Sequence, residues 1–505
     1  MSGALVQPYA EMPTGSAVRH ALKWQVIGLV LLAYHVFLVK QSIAFVVVMP
    51  ALLAVLYTNA PLAGLLVYFQ FLIYQNFIIS LAAPNMPTLN FTILQGTNFL
   101  AVTLMAGIGA GRLFLPPWRQ ETRGIMLAVI SAVLIAGCYA AFGTMRSGPT
   151  SAAIYFREFI GPVCAVVVGL DVGRAWGFRT AATGLLISTI PSLIIALVEL
   201  ASPVDLYTWT NATEFINLKS ACCTAGMIFS PLGVVDLNTS NLFNYTGDSE
   251  FANSMTSFRF MSSLMHPISY AYVLAVAGLA AISLRQYLWL LLLIPLLVAI
   301  GVKGAVILFV FSLCLWTILA TTGSARITLV SATGLLVMYV AYGIVHGLAY
   351  GDFHAIGFVG GWNGFLRDPL GHGLGVGGNL SEGSGNLQWT GSGGAQAIGA
   401  DRGMESAVGV LLYQMGIGSL AILAVFFCLL KAAPFLRRKP QARDVWFLAL
   451  AVIVVNGVFQ EEAFAPTAAG LIALLTAIVL MNERRRAVSL TSRTPATLSA
   501  RPAAG

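Results

Sequence analysis

Several charged residues stand where charge is costly, and their types suggest what they do. Arg157 falls one to two turns inside an apolar run. A charge so placed is either a functional group or a side chain that snorkels to the interface. Arg259 stands shortly before His266-Pro267 and a further apolar run. Lys303 stands in the tight turn Gly301-Val-Lys-Gly304 between two more. Arg367 and Arg402 come from a glycine-rich stretch running from about 350 to 404. Taken singly, each is a solvated loop charge or a ligand contact. Taken together they suit a polyanion such as a diphosphate, because guanidinium groups grip phosphate oxygens through two parallel hydrogen bonds.

Glu405 begins the apolar run that follows the glycine-rich stretch. It is either a general base for a hydroxyl or a helix-terminal charge. His372 is a second candidate base or a hydrogen-bonding loop residue. Around it, Gly371-His-Gly-Leu-Gly-Val-Gly-Gly378 has a spacing superficially like GxGxxG. No parallel βαβ unit surrounds it, which argues against a dinucleotide site. The glycines make either a flexible surface loop or one that turns backbone N–H groups toward an anion. Asp352, Glu461 and Glu462 are further acids of the same face, His354 has no evident partner, and His35 and His346 read as packed histidines.

Membrane spans must hold these residues. Of the 505 residues, 58% are hydrophobic and 9% charged, and the mean hydropathy is +0.84. Soluble domains carry roughly 25% charged residues, so a soluble or disordered chain is excluded. The apolar runs predict an all-α polytopic membrane protein with about fourteen transmembrane helices. The transmembrane domain extends over 23–482, after a cytoplasmic segment 1–22 and before a disordered basic cytoplasmic tail 483–505. Two polar loops interrupt it, at about 202–262 and 350–404. Four spans separate them, so both lie on one side. Most Lys and Arg residues fall on the other side, which makes that side cytoplasmic and both loops external. The net charge of +8 is spread along loops and tails, a poor footprint for nucleic acid. Cys138, Cys164, Cys314 and Cys428 sit in apolar runs, and Cys222-Cys223 are either a vicinal disulfide or two thiols. No His/Cys spacing suggests a metal site.

These motifs resemble the O-antigen ligase and polymerase family of bacterial integral-membrane glycosyltransferases. Pro369-Leu-Gly-His-Gly-Leu-Gly375 followed by Glu405-Ser406 is similar to the exopolysaccharide polymerase variant of that family. Glu405, ten residues and then Gly416 have the spacing at which its ligases carry a His and a Gly. Arg259 to Pro267 is similar to the family's R-x-x-G-x-x-x-x-P segment, with Ser262 at the Gly position. Gly301-Val-Lys303-Gly304 is similar to its S-R-G segment, with Lys303 in place of Arg. The resemblance implies a GT-C-like fold with two large periplasmic loops in the bacterial inner membrane. It implies transfer of glycan from an undecaprenyl-diphosphate-linked repeat unit to an acceptor glycan, without nucleotide sugar, cofactor or metal, alongside other polysaccharide export proteins. Arg157, Arg259, Lys303, Arg367 and Arg402 would then hold the diphosphate. Glu405 or His372 would be the base, and His266, Gly371, Gly373, Gly375 and Gly416 would shape the site. The alternatives are ligase-type transfer to lipid A core or protein and, from another class, a secondary transporter or lipid-linked oligosaccharide flippase. A transporter should place charge mid-span on broken helices, and here the mid-span regions are nearly free of charge.

Overall fold

In hydrocarbon a backbone must satisfy its own N–H and C=O groups, which leaves the apolar runs of this chain only the helix. The computed structural model describes residues 14–116, 118–223, 230–237, 239–241, 256–378, 380 and 405–491. The chain begins with α1 (Thr14–Gln41), α2 (Val48–Asn59), α3 (Pro61–Ala82), α4 (Thr88–Leu113), α5 (Trp118–Ser147), α6 (Pro149–Ala175) and α7 (Phe178–Ala201). Three short helices follow, α8 (Pro203–Trp209), α9 (Ala212–Cys223) and α10 (Pro231–Leu237), with an antiparallel strand pair, β1 (Thr239–Asn241) and β2 (Thr256–Phe258). Then come α11 (Pro267–Leu284), α12 (Leu290–Ala299), α13 (Lys303–Thr322), α14 (Ala325–Tyr350) and α15 (Phe353–Arg367). The last are α16 (Ala407–Met415), α17 (Ser419–Lys431), α18 (Val445–Asn456) and α19 (Leu471–Thr491). Prolines at the first helical position start α3, α6 and α11, where the missing N–H costs nothing. Gly323 and Gly351 end α13 and α14 in the left-handed conformation.

Among the described residues, 11 helical segments are long and apolar enough to cross a membrane. The chain is an all-α polytopic membrane protein. Three of the runs expected as spans make shorter helices: Ile43–Asn59, Tyr287–Ala299 and α18. The 12 residues of α18 rise about 18 Å, against about 30 Å of hydrocarbon.

Boundaries at both ends of the chain differ from the sequence reading. Helix α1 already runs from Thr14, ahead of position 23. Helix α19 continues past 482 to Thr491, so the start of the segment expected to be disordered is helical. The reason is tertiary. Arg438 Nε lies 3.1 Å from Glu483 Oε2, and Arg443 also pairs with Glu483. The described residues of 202–262 include α8, α9, α10 and the strand pair, and 353–367 of the second expected loop is the helix α15, which Asp352 caps by accepting from His354 N. Cys222 and Cys223 fall at the end of α9, with side chains outside the description.

Helices α3, α6 and α19 lie at the centre, whereas α14 stays at the periphery. Close approach of α6 to α19 rests on small residues. A Cβ at Gly169 would stand 2.3 Å from the Leu474 carbonyl oxygen, which only glycine tolerates. One end of the bundle is fastened by ion pairs. Asp171 takes Arg112 at 2.8 Å and Arg174 at 3.1 Å, and Asp444 takes Arg438 at 2.8 Å. Arg485 donates to the Ala175 carbonyl at 3.1 Å, which places both clusters at the same end.

Candidate functional site

The opposite end holds a cavity of about 470 Å³ lined by Arg259, Lys303, Asp352, His354, Glu405 and Gln460, among others. Five separate stretches of chain supply those side chains, and each is fixed for its own reason.

Arg259 follows β2 on a segment tied down by a buried carboxylate. Glu199, in the last turn of α7, accepts from Met261 N at 2.7 Å, Ser262 N at 2.6 Å and Tyr207 Oη at 2.6 Å. Ser262 Oγ donates to the Ser192 carbonyl at 2.6 Å. These bonds hold Ser262 and Met265 at φ of 47° and 51°, a conformation costly for non-glycine residues unless the surroundings enforce it. Burial pulls the Arg259 guanidinium below its usual pKa, and its Nε has no partner among the described residues. Lys303 is the first residue of α13, after Gly301 at φ 67°, with Asp352 and Arg259 as charged neighbours.

Glu405 directly precedes Ser406, whose side chain caps α16 by accepting from Gly409 N at 2.9 Å. Its carboxylate is about one-third exposed, with Oε2 3.4 Å from His354 Nδ1. The same Nδ1 lies 3.0 Å from the Glu405 carbonyl oxygen. A carbonyl only accepts, so Nδ1 carries the hydrogen and Nε2 is left as the acceptor, 3.5 Å from Gln460 Nε2. A carboxylate and an oriented imidazole therefore stand in one cavity with an arginine and a lysine. That arrangement can take up a proton on one side and bind an anion on the other.

The structure brings Arg259, Lys303 and Glu405 together and places the other described candidates elsewhere. Arg157 lines a different pocket, where its guanidinium donates to the Gln95 carbonyl at 2.8 Å. Arg367 is exposed in the last turn of α15, where the helix dipole favours it. Arg402 lies outside the described residues. His266 caps α11: its Nδ1 accepts from Ser269 N at 3.3 Å. Burial, and to a lesser degree Lys219, pushes its pKa down to about 3, so it stays a neutral acceptor.

His372 is not beside Glu405. It stacks on Tyr413 with ring centroids 4.0 Å apart, and its Nδ1 lies 3.1 Å from the Tyr413 carbonyl oxygen. Nor do residues 371–375 present their N–H groups to a ligand. Those of His372, Gly373 and Leu374 go to the carbonyls of Tyr413, Gln414 and Tyr139, and that of Gly375 goes to Gln414 Oε1. Gly371, Gly373 and Gly375 have φ of 80°, 99° and 86°, and added Cβ atoms would meet neighbouring backbone at 2.6, 2.8 and 2.5 Å. At Gly416 a Cβ would meet the Pro369 carbonyl oxygen at 2.1 Å. The motif thus wedges a turn between α5, α6 and α16. Tyr155 extends the anchorage by donating to Glu461 Oε1 at 2.7 Å and accepting from Leu380 N at 3.0 Å.

Sequence reasoning did not find Glu199, Gln460 or the pairing of His354 with Glu405. A carboxylate in the final turn of an apolar helix was a usable signal for Glu199. Nothing local pointed to the other two.

No family model matches the chain, and neither a curated protein nor a solved structure matches it.

Proposed function

We propose that this protein is a GT-C-like polysaccharide polymerase of the bacterial inner membrane, working at the periplasmic face. It transfers glycan from an undecaprenyl-diphosphate-linked repeat unit to a hydroxyl of an acceptor glycan. The observation that carries this reading is the convergence of Arg259, Lys303 and Glu405 on one cavity at one end of a membrane bundle. Three distant sequence segments, each picked out by chemistry, would not be expected to meet by chance.

The cavity's own residues supply the steps. Arg259 and Lys303 hold the diphosphate and offset the negative charge that grows on it as the sugar–oxygen bond breaks, the role of preorganised cations in other transferases. The acceptor oxygen forms the new bond to the sugar, and its proton passes to Glu405. His354 keeps the Glu405 segment in place, and its Nε2 is the second available acceptor for that proton. Lipid-linked diphosphate is the leaving group. The polyprenyl chain remains among the outward-facing apolar side chains, and the low burial of α14, whose His346 and Tyr350 line the cavity, suits that placement.

The test is made in cells. Arg259→Ala and Glu405→Ala are introduced separately, membrane insertion is verified, and the lipid-linked pool is analysed. The expected result is loss of polymer with single lipid-linked repeat units left on the outer side. Long lipid-linked chains would instead identify a ligase, and repeat units held on the cytoplasmic side a flippase. An unchanged pool would overturn the reading.

A further inference from the structure

A second cavity, of about 170 Å³, lies at the same end of the bundle. Leu264 and Ser269 border it, and Ile268, between them in sequence, lines the larger cavity. Its lining is of another kind. Gln75, Asn98 and Thr467 each carry a buried polar atom with no partner among the described residues: Oε1, Oδ1 and Oγ1. Gln75 and Thr467 are only 3% and 7% exposed. The Gln75 amide cannot turn to relieve this, because its Nε2 already donates to Thr97 Oγ1 at 3.0 Å and to the Leu94 carbonyl. Buried polar atoms left in this state call for a partner from outside the chain, a donor in the case of the Gln75 and Asn98 oxygens.

Charge narrows the choice of donor. Arg157 and Glu158 both line the pocket, so its one cationic side chain has an acidic one beside it, unlike a pocket built of cations for a polyanion. A diphosphate offers acceptors only, and here it would face Glu158 and the amide oxygens of Gln75 and Asn98, with the Thr467 hydroxyl able to donate or accept. A neutral polyol offers several O–H donors, and its C–H face suits the rings of Tyr68 and Phe99, which also line the pocket. The volume lies below the roughly 300–1,000 Å³ that drug-sized ligands fill, which suits one ring and no more.

We infer that this pocket binds one neutral, polyhydroxylated sugar ring of the glycan. The inference rests on the glycosyl-transfer reading for its occupant and assigns to Arg157 a saccharide contact in place of a diphosphate contact. The donor or acceptor sugar is then held beside the anion-binding cavity by hydrogen bonds to Gln75, Asn98 and Thr467.

Ligand-observed saturation-transfer NMR on the full chain in nanodiscs tests it. The probes are methyl α-glucoside, methyl β-galactoside and methyl N-acetyl-β-glucosaminide, with inorganic pyrophosphate as competitor. At least one glycoside should receive saturation from the wild type. Asn98→Ala and Thr467→Val should each weaken that binding roughly three- to ten-fold, the loss of one hydrogen bond, with thermal unfolding unchanged. Pyrophosphate should not displace the glycoside, and Arg259→Ala should leave glycoside binding intact. The inference is overturned if no neutral glycoside binds, which would make the pocket a water site. It is equally overturned if both variants bind like the wild type, or if pyrophosphate competes. Glycoside binding in a chain that binds no pyrophosphate would sink the diphosphate-donor reading and leave the pocket standing.

Discussion

The two ends of the bundle use arginine differently. At one end Arg112 and Arg174 share Asp171, and Arg438 and Arg443 share Glu483, with Asp444 completing the second cluster. At the other end Arg157 is held by a backbone carbonyl, and Arg259 Nε has no partner among the described residues. A cation neutralised inside the protein fastens helices, whereas one that lines a cavity with no ion-pair partner among the described residues, as Arg259 does, is ready for an anion; Arg157, with Glu158 in the lining of its pocket, is suited to a neutral ligand. The difference separates structural charge from site charge better than burial does, since both ends hold partly buried guanidinium groups.

The largest effect that would test this contrast is on stability. Asp171→Ala leaves two arginines facing an emptied, fully buried position. It should cost about 3–5 kcal/mol, the usual result of removing one partner from a buried ion pair, read as a large drop in thermal unfolding temperature in detergent. Arg259→Ala should do the opposite. Unfolding should shift little, while the transfer rate falls about 10²–10³-fold, as when a preorganised charge-stabilising donor is removed. Equal destabilisation by both variants would erase the contrast.

Smaller effects sharpen it. Gly373→Ala puts a side chain at φ 99°, with its Cβ 2.8 Å from the Gly143 Cα. It should destabilise by about 1–3 kcal/mol, marking the glycine turn as architecture. His372→Ala removes the stack on Tyr413 and should cost about 0.5–1.5 kcal/mol. Its transfer rate should stay within a few-fold of wild type. A loss of several orders of magnitude in that rate would restore His372 as the base.

The cations were legible in the sequence because charge next to apolar runs is costly and therefore conspicuous. Arg259, Lys303 and Glu405 stood out on that ground and do share a cavity. Arg157 stood out equally, but which pocket it lines depends on how α6 packs against α3 and α4, which no local pattern encodes. His372 drew notice through its glycine neighbours, whereas His354 became Glu405's partner only when α15 folded back against α16. Glycine content pointed either to a flexible loop or to one that turns its N–H groups toward an anion. The same residues at 371–375 serve close backbone approach, and spacing alone does not separate these uses of glycine. The spans were visible as apolar runs, and the shortness of α18 shows that an apolar run need not build a helix of crossing length.

The most direct measurement is binding of inorganic pyrophosphate to the purified chain in nanodiscs by calorimetry, comparing wild type, Arg259→Ala and Arg438→Ala. The account predicts that the wild type binds, that Arg259→Ala abolishes binding, and that Arg438→Ala, at the ion-paired end, binds as the wild type does. Absence of binding to the wild type, or equal binding by wild type and Arg259→Ala, would contradict it.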